Sequence, residues 1–382
     1  MDIRTRLIRD ATARPQDRRP VNPPIERGTT ILLNRSADLF DDSRGPVYGL
    51  DGLSAHKALE RGIAELEAAS HVELAPSGLA AVTIPLTAML GAGDEVLITD
   101  ACYGPTRKFC SQTLKRYGVT ARYYPPRSTP EEVMALVGEA TRLIVLEAPG
   151  SLTFEVQDVP GIARLAKARG VATMIDNTYA AGLLFQPLNH GVDISVQALS
   201  KYVGGHSDVF GGAVAVNDAG TWRKVRAVID EMGWYLSPDD AWLALRGLRT
   251  LPLRMAQHEA GALEAARWLE EQPEVLKVLH PALPSFPDHA VFKRDFSGSN
   301  GLFGVVLKPG LDGDRLIDSL ELFGTGVSWG GYESLASPGD RMIARRSLKQ
   351  DLGGSLVRLH VGLEAPADLI SDLRRGLDAL GR

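Results

Sequence analysis

Cysteine is nearly absent from this sequence: 382 residues carry two, Cys102 and Cys110. One pair of thiols with no further ligands nearby makes neither a disulfide framework nor a metal site, so a stapled secreted scaffold and a zinc module are excluded. The two read as reduced, packed thiols of a cytoplasmic protein. Long apolar runs are missing too. The longest, LAAVTIPLTAML, contains Thr83, Pro85 and Thr87 and falls short of the roughly 20 apolar residues that cross a bilayer. Charge of one sign does not dominate. With 42 basic and 47 acidic side chains the formal charge is -5, which calls for neither nucleic acid nor an anionic membrane as partner. An apolar leader is lacking as well, since MDIRTRLIRDATARPQDRRP is charged throughout, and export is not expected.

What is present is an ordinary globular composition, 44% hydrophobic and 23% charged, on a chain long enough for two domains. Residues 1–50 are rich in Arg, Pro and Asp with weak periodicity and read as an arm lying over something else, such as a second subunit. From about residue 70, short apolar runs (HVELAP, DEVLITD, VTARYYP, TRLIVLEAP, VATMIDNT, DISVQALS, VFGGAVAV) read as strands. Helical patterns alternate with most of them: SGLAAVTIPLTAMLG, PTRKFCSQTLKRYG, TPEEVMALVGEA and DVPGIARLAKARG. Such alternation predicts a mainly parallel sheet covered on both faces, spanning 51–238. Beyond it a long helical stretch, bent or broken near Pro252, leads into the strands GLFGVVL and LVRLHVGL and a terminal helix ending at Gly381. Residues 239–382 therefore read as a smaller α+β domain.

In open parallel sheets, ligands sit at the carboxyl ends of strands. Ser77-Gly78, Asp176 and Lys201 fall at three such ends. Each alone has a bland explanation: a tight turn, a cap, a solvated amine. Together they match what pyridoxal 5'-phosphate (PLP) requires, namely an amine for its aldehyde and a carboxylate for its ring nitrogen. Its phosphate needs N–H groups at a helix start, which Gly78 and Leu79 can offer, with hydroxyls from Ser77 and Ser200. Tyr103 follows another strand and can stack on the ring.

At these residues the chain resembles a known family, the PLP-dependent enzymes of cysteine and methionine metabolism. SVQALSKYVGGHSD is similar to the family's SIQA-x-TKY-x-x-GHSD, and IDNTYAAGLLF to its IDNTWAAGLLF. The resemblance implies an aspartate-aminotransferase-type (fold type I) PLP-dependent transferase-like architecture. LEAPGSLTFEVQDVP and GVSWGGYESL, the latter with Trp329, resemble the family's cystathionine β-lyases more than its γ-acting members. The implied reaction is α,β-elimination of L-cystathionine or a related S-substituted cysteine to a thiol such as homocysteine, pyruvate and ammonia. A γ-lyase, a cysteine desulfhydrase and a catalytically weakened PLP-binding regulatory protein are the alternatives. By the same resemblance Lys201 is the base, Tyr48 and Tyr103 assist, Arg358 and Ser328 grip the substrate carboxylate, and the assembly is a homodimer or a tetramer of two dimers. His206 and His360 read as packing or hydrogen-bonding residues.

The pattern breaks at VYGLDGLS, where Leu50 stands in place of an arginine that reaches the cofactor phosphate of a neighbouring subunit. One charge-assisted hydrogen bond, worth about 1.5–3 kcal/mol, is thereby lost unless Arg44 or Lys57 replaces it. Tyr179 replaces a common tryptophan, and Asp230 falls where these lyases often carry a tyrosine.

Overall fold

A computed structural model describes residues 1–9, 20–41 and 45–381. Arg44 lies outside them. Twelve strands are found among the described residues. They are β1 (His71–Ala75), β2 (Glu95–Thr99), β3 (Thr120–Tyr124), β4 (Thr141–Glu147), β5 (Ala172–Asp176), β6 (Ile194–Ala198) and β7 (Gly212–Val216). The later five are β8 (Val275–Leu279), β9 (Leu302–Leu307), β10 (Gly324–Thr325), β11 (Leu335–Pro338) and β12 (Leu356–His360).

The first seven strands form one sheet in the order β1-β7-β6-β5-β4-β2-β3. Only β7 runs against its neighbours; the other pairs are parallel. Alternation along β4 explains its burial on both sides. Ile144 and Leu146 join one core with Leu59 and Ile162, whereas Leu143 and Val145 join the opposite core with Ile84 and Ile229. Helices on both faces supply those partners, Ser54–Glu67 and Val159–Ala168 on one side, Gly78–Met89 and Ala219–Met232 on the other. In a sheet buried this way the strand ends are where side chains can meet a ligand, while the polar groups inside it are paired, as Ser195 and Gln197 of β6 are with Glu67.

The remaining strands form a five-stranded sheet, β10-β11-β12-β9-β8, antiparallel except for β10 with β11. Its apolar face packs on helices Leu251–Glu270 and Pro366–Leu380. The long helical stretch does break as its proline suggests. One helix covers Pro238–Leu248 and the next starts at Leu251, with Pro252 in its first turn, where an N–H would have no partner anyway.

Three local outcomes differ from the sequence expectation. PTRKFCSQTLKRYG is not a plain α-helix but widens into a π-turn over Phe109–Leu114. TPEEVMALVGEA yields only Pro130–Ala135, started by Thr129 and Glu132, which cap each other's backbone N–H groups. The amino-terminal segment is not wholly detached, because helix Ile3–Arg9 buries Leu7 in the chain's own core and pairs Arg6 with Glu65.

Candidate active site

The carboxyl ends of β4, β5 and β6 open into a cavity of about 730 Å3, lined among others by Gly78, Tyr103, Asp176, Lys201 and Arg358. Asp176 ends β5 directly opposite Glu147 at the end of β4. Its Oδ1 accepts hydrogen bonds from the Thr178 N–H (3.1 Å) and hydroxyl (2.5 Å). Thr178 Oγ1 in turn accepts the Ala198 N–H at 2.9 Å, tying the end of β5 to the end of β6. Burial raises the Asp176 pKa, while the Thr178 bonds and the charge of Lys201 oppose the rise. Glu147 is also buried and pushed well above the usual carboxylate range, first by desolvation and then by Asp176. It accepts the Tyr103 N–H at 2.7 Å and so fixes where that tyrosine leaves the sheet. Sequence reasoning missed Glu147, although its place at a strand end was open to the same rule that found Asp176.

Lys201 lies three residues beyond β6, in a turn closed by Gly204 N–H to Leu199 O (2.8 Å) and Gly205 N–H to Lys201 O (2.8 Å). Its ammonium donates to Ser328 Oγ at 2.7 Å and stands 5.2 Å from the centre of the Trp329 ring. Burial, assisted by the Arg358 charge, lowers its pKa to about 8. The loop bearing Ser328 and Trp329 approaches the lysine backbone closely. A Cβ on Gly330, whose φ is +89°, would sit 2.8 Å from the Tyr202 nitrogen.

His360 holds that loop. Its Nε2 accepts the Gly330 N–H at 3.0 Å while Nδ1–H donates to Glu333 O at 3.1 Å, an arrangement only the neutral ring can make. Burial keeps its pKa well below the ordinary value. A histidine held neutral in the fold contributes stability that is complete above pH of about 6.5 and is lost as the unfolded chain takes up the proton below it. His360→Ala is expected to cost about 1–3 kcal/mol at pH 7.5 in urea unfolding, because it leaves buried backbone groups unpaired. It should also flatten, without abolishing, the loss of stability between pH 7.5 and 5.5, since the buried His258 and His280 are shifted the same way.

Arg358, on β12, is buried. Nη2 donates to Val327 O (2.7 Å) and Ser337 Oγ (3.1 Å), and no carboxylate partner is found among the described residues. Desolvation lowers its pKa to about 10. Opposite, helix Gly78–Met89 starts with Ser77 Oγ accepting the Ala80 N–H at 3.1 Å. The N–H groups of Gly78 and Leu79 find no acceptor among the described residues. Ser200 also lines the cavity, but its hydroxyl exchanges hydrogen bonds with the Gly211 backbone.

Not every sequence candidate gathers here. Tyr48 and Leu50 are 45% and 41% exposed and lie outside this cavity. Lys57 pairs with Glu60 at 3.0 Å on its own helix, away from the cavity. Asp230 pairs with Arg226 at 2.9 Å and lines no part of it, whereas Tyr179 does line it.

A model of the Cys/Met metabolism PLP-dependent enzymes matches residues 4–378. The chain belongs to that family. It is 43% identical over 370 residues to a cystathionine beta-lyase of Bordetella avium, spanning 94% of this chain and 92% of the relative. Escherichia coli K12 cystathionine beta-lyase MetC is 40% identical over 387 residues, with 97% of each chain covered. The solved structure of metB from Corynebacterium glutamicum superposes with a TM-score of 0.92 at 30% identity, over 99% of this chain and 98% of that one. The fold is that of the type I PLP enzymes, as the sequence resemblance implied.

The family's cofactor is PLP, and the residues fit it. An amine with its pKa lowered to about 8 suits an aldehyde. A buried carboxylate at a neighbouring strand end suits a pyridinium, and open N–H groups at a helix start suit a phosphate. Gly78 adds a steric reason, because a Cβ there would lie 2.4 Å from that of Ala198 and push the helix start away from β6.

Proposed function

We propose that the chain is a carbon–sulfur β-lyase that cleaves L-cystathionine, or a closely related cysteine thioether, to a thiol, pyruvate and ammonia. The convergence of Lys201, Asp176 and Arg358 on one cavity carries this reading. Bound PLP supplies an electron sink for negative charge at the substrate Cα. Asp176 would hold its ring nitrogen, and Tyr103 would stack on its face. Gly78 and Leu79 N–H, with the Ser77 and Ser200 side chains, would hold its phosphate.

Arg358 binds the substrate α-carboxylate with its guanidinium fork, and the Ser328 hydroxyl adds a further donor. That grip turns the Cα–H bond toward Lys201. In its neutral form Lys201 takes the Cα proton and returns a proton to the departing sulfur, so the Cβ–S bond breaks with a thiol as leaving group. Water completes the balance: cystathionine and water give homocysteine, pyruvate and ammonia. Trp329, whose ring centre lies 5.2 Å from the Lys201 ammonium, is the tryptophan by which the chain resembles the β-lyases, and it supports β over γ cleavage.

A second copy of the chain belongs to this reading. Tyr48 is exposed, as are Val21, Leu32 and Phe40 of the same segment, which supports a subunit boundary there. The homodimer, or tetramer of two dimers, in which Tyr48 would reach a neighbour's substrate is what the family resemblance implies. The same reading divides the chain into the arm (1–50), a large cofactor domain and a smaller carboxyl-terminal domain. Helix Pro238–Leu248 packs against Ser54–Glu67, which favours a junction at residues 249–250 rather than at 238. No helix among the described residues is long and apolar enough to cross a membrane, and the buried, unpaired Cys102 and Cys110 favour the cytoplasm.

The purified enzyme is expected to release pyruvate from L-cystathionine, read by coupling to lactate dehydrogenase. Release of 2-oxobutyrate instead would establish γ cleavage. Pyruvate from cysteine but not from cystathionine would make the protein a desulfhydrase.

A further inference from the structure

Besides Lys201 and Arg358, three cationic side chains line the cavity: Arg107, Arg345 and Arg346. Two are already satisfied. Arg107 pairs with Asp100 at 2.7 Å. Arg346 donates to Ser151 O and Thr153 Oγ1, both at 2.6 Å, and faces Glu155 at 3.5 Å. Arg345 differs, having neither an ion pair nor a side-chain hydrogen bond among the described residues.

Its position is nevertheless built. The segment that carries it, between β11 and β12, is pinned on both sides of the residue. Upstream, Asp340 accepts the Leu356 N–H at 2.8 Å. Downstream, the Ser347 and Leu348 N–H groups donate to Asp100 at 3.0 and 2.8 Å, and Arg107 donates to Ser347 Oγ at 2.9 Å. Arg346, anchored to the loop after β4, fixes the very next position. A tethered segment thus presents one uncommitted guanidinium to a cavity whose other cations are assigned.

We infer that Arg345 binds an anionic group at the far end of the substrate's sulfur substituent, and so selects thioethers that carry a distal carboxylate. This rests on the β-lyase reading above. A guanidinium is suited to the task because its planar fork matches a carboxylate and its charge persists at every physiological pH. Arg358 serves the α-carboxylate at the reacting end, and Arg345 would serve the second carboxylate of a dicarboxylic thioether. The proposal makes Arg345 a determinant of specificity that takes no part in proton transfer.

The test compares L-cystathionine with S-methyl-L-cysteine, whose sulfur substituent bears no charge, on PLP-loaded enzyme. For Arg345→Ala, KM for cystathionine should rise about ten- to a hundredfold, the worth of one charge-assisted hydrogen bond. The kcat/KM for S-methyl-L-cysteine should change less than twofold, and Arg345→Lys should recover part of the cystathionine loss. Equal losses on both thioethers, or no loss on cystathionine, would overturn the proposal alone. So would weaker PLP binding by the variant, which would place the guanidinium on the cofactor. Wild-type enzyme that forms pyruvate from neither thioether would overturn the β-lyase reading and this proposal with it.

Discussion

Lys201→Ala is expected to end pyruvate release and to abolish the covalent fixation of PLP by borohydride at the peptide containing residue 201. Loss of a positioned general base alone lowers rates by about 10²–10⁴-fold. Here the same amine is also the group that engages the cofactor aldehyde, so turnover should fall at least to the lower end of what an assay detects. A pH experiment on cofactor-free protein separates the chemistry from the fold. Burial pushes the Lys201 amine down to about 8, so its neutral, reactive fraction grows as pH rises through that value. Reductive methylation at residue 201, followed by peptide mass spectrometry, should reach half its limiting rate near pH 8. Exposed lysines should lag by about two pH units, at their ordinary value near 10.4. A residue 201 that titrates with the surface lysines would remove the physical basis of its assignment as base.

The position of polar residues at strand ends makes part of the site legible in the sequence. Asp176 and Lys201 stand out because a polar group closing an apolar run must leave a buried sheet at its end, where parallel sheets place ligands. Glu147 obeys the same rule and sits opposite Asp176 in register, yet in TRLIVLEAP it falls inside the run read as a strand, before Ala148 and Pro149, and so does not stand out as its end. His360 is harder. Its role depends on Gly330 and Glu333, about 30 residues away, and on a tautomer that only their relative positions select. Arg345 is invisible for a related reason: an arginine next to an arginine says nothing about which one is already paired.

At the level of fold, long alternations carried the seven-stranded sheet, while β8 and β11 were obscured by the residues around them and β10 by its length of only two residues. VLKVL is five residues wedged between a helix and a proline, and LASP ends in one. Helix Ser54–Glu67 lies between the arm and the first strand, where the sequence reading assigns no element, although Leu59, Ile63 and Leu66 face one core. The break at Arg249–Thr250 was readable because Pro252 permits few other placements.

Arg358→Leu should produce the second large loss, and its pattern tells binding from chemistry. The guanidinium is buried and bonded to the carbonyl of Val327, so its fork is preset before substrate arrives and little rotamer freedom remains to be lost on binding. Two charge-assisted hydrogen bonds to a carboxylate, each worth about 1.5–3 kcal/mol, correspond to roughly 10²–10⁴ in kcat/KM. A lysine restores charge but not the fork, so Arg358→Lys should lie between the two. Both L-cystathionine and S-methyl-L-cysteine carry the α-carboxylate, and both should suffer alike, in contrast to the split expected at Arg345. Arg358 also holds the loop that positions Ser328 beside Lys201, through Val327 O and Ser328 O, so part of the loss should fall on kcat. Cofactor affinity, measured by fluorescence titration of PLP into the stripped variant, should stay within a few-fold of the parent. If instead PLP no longer binds while the fold survives, Arg358 serves the cofactor, and the substrate carboxylate must be held elsewhere.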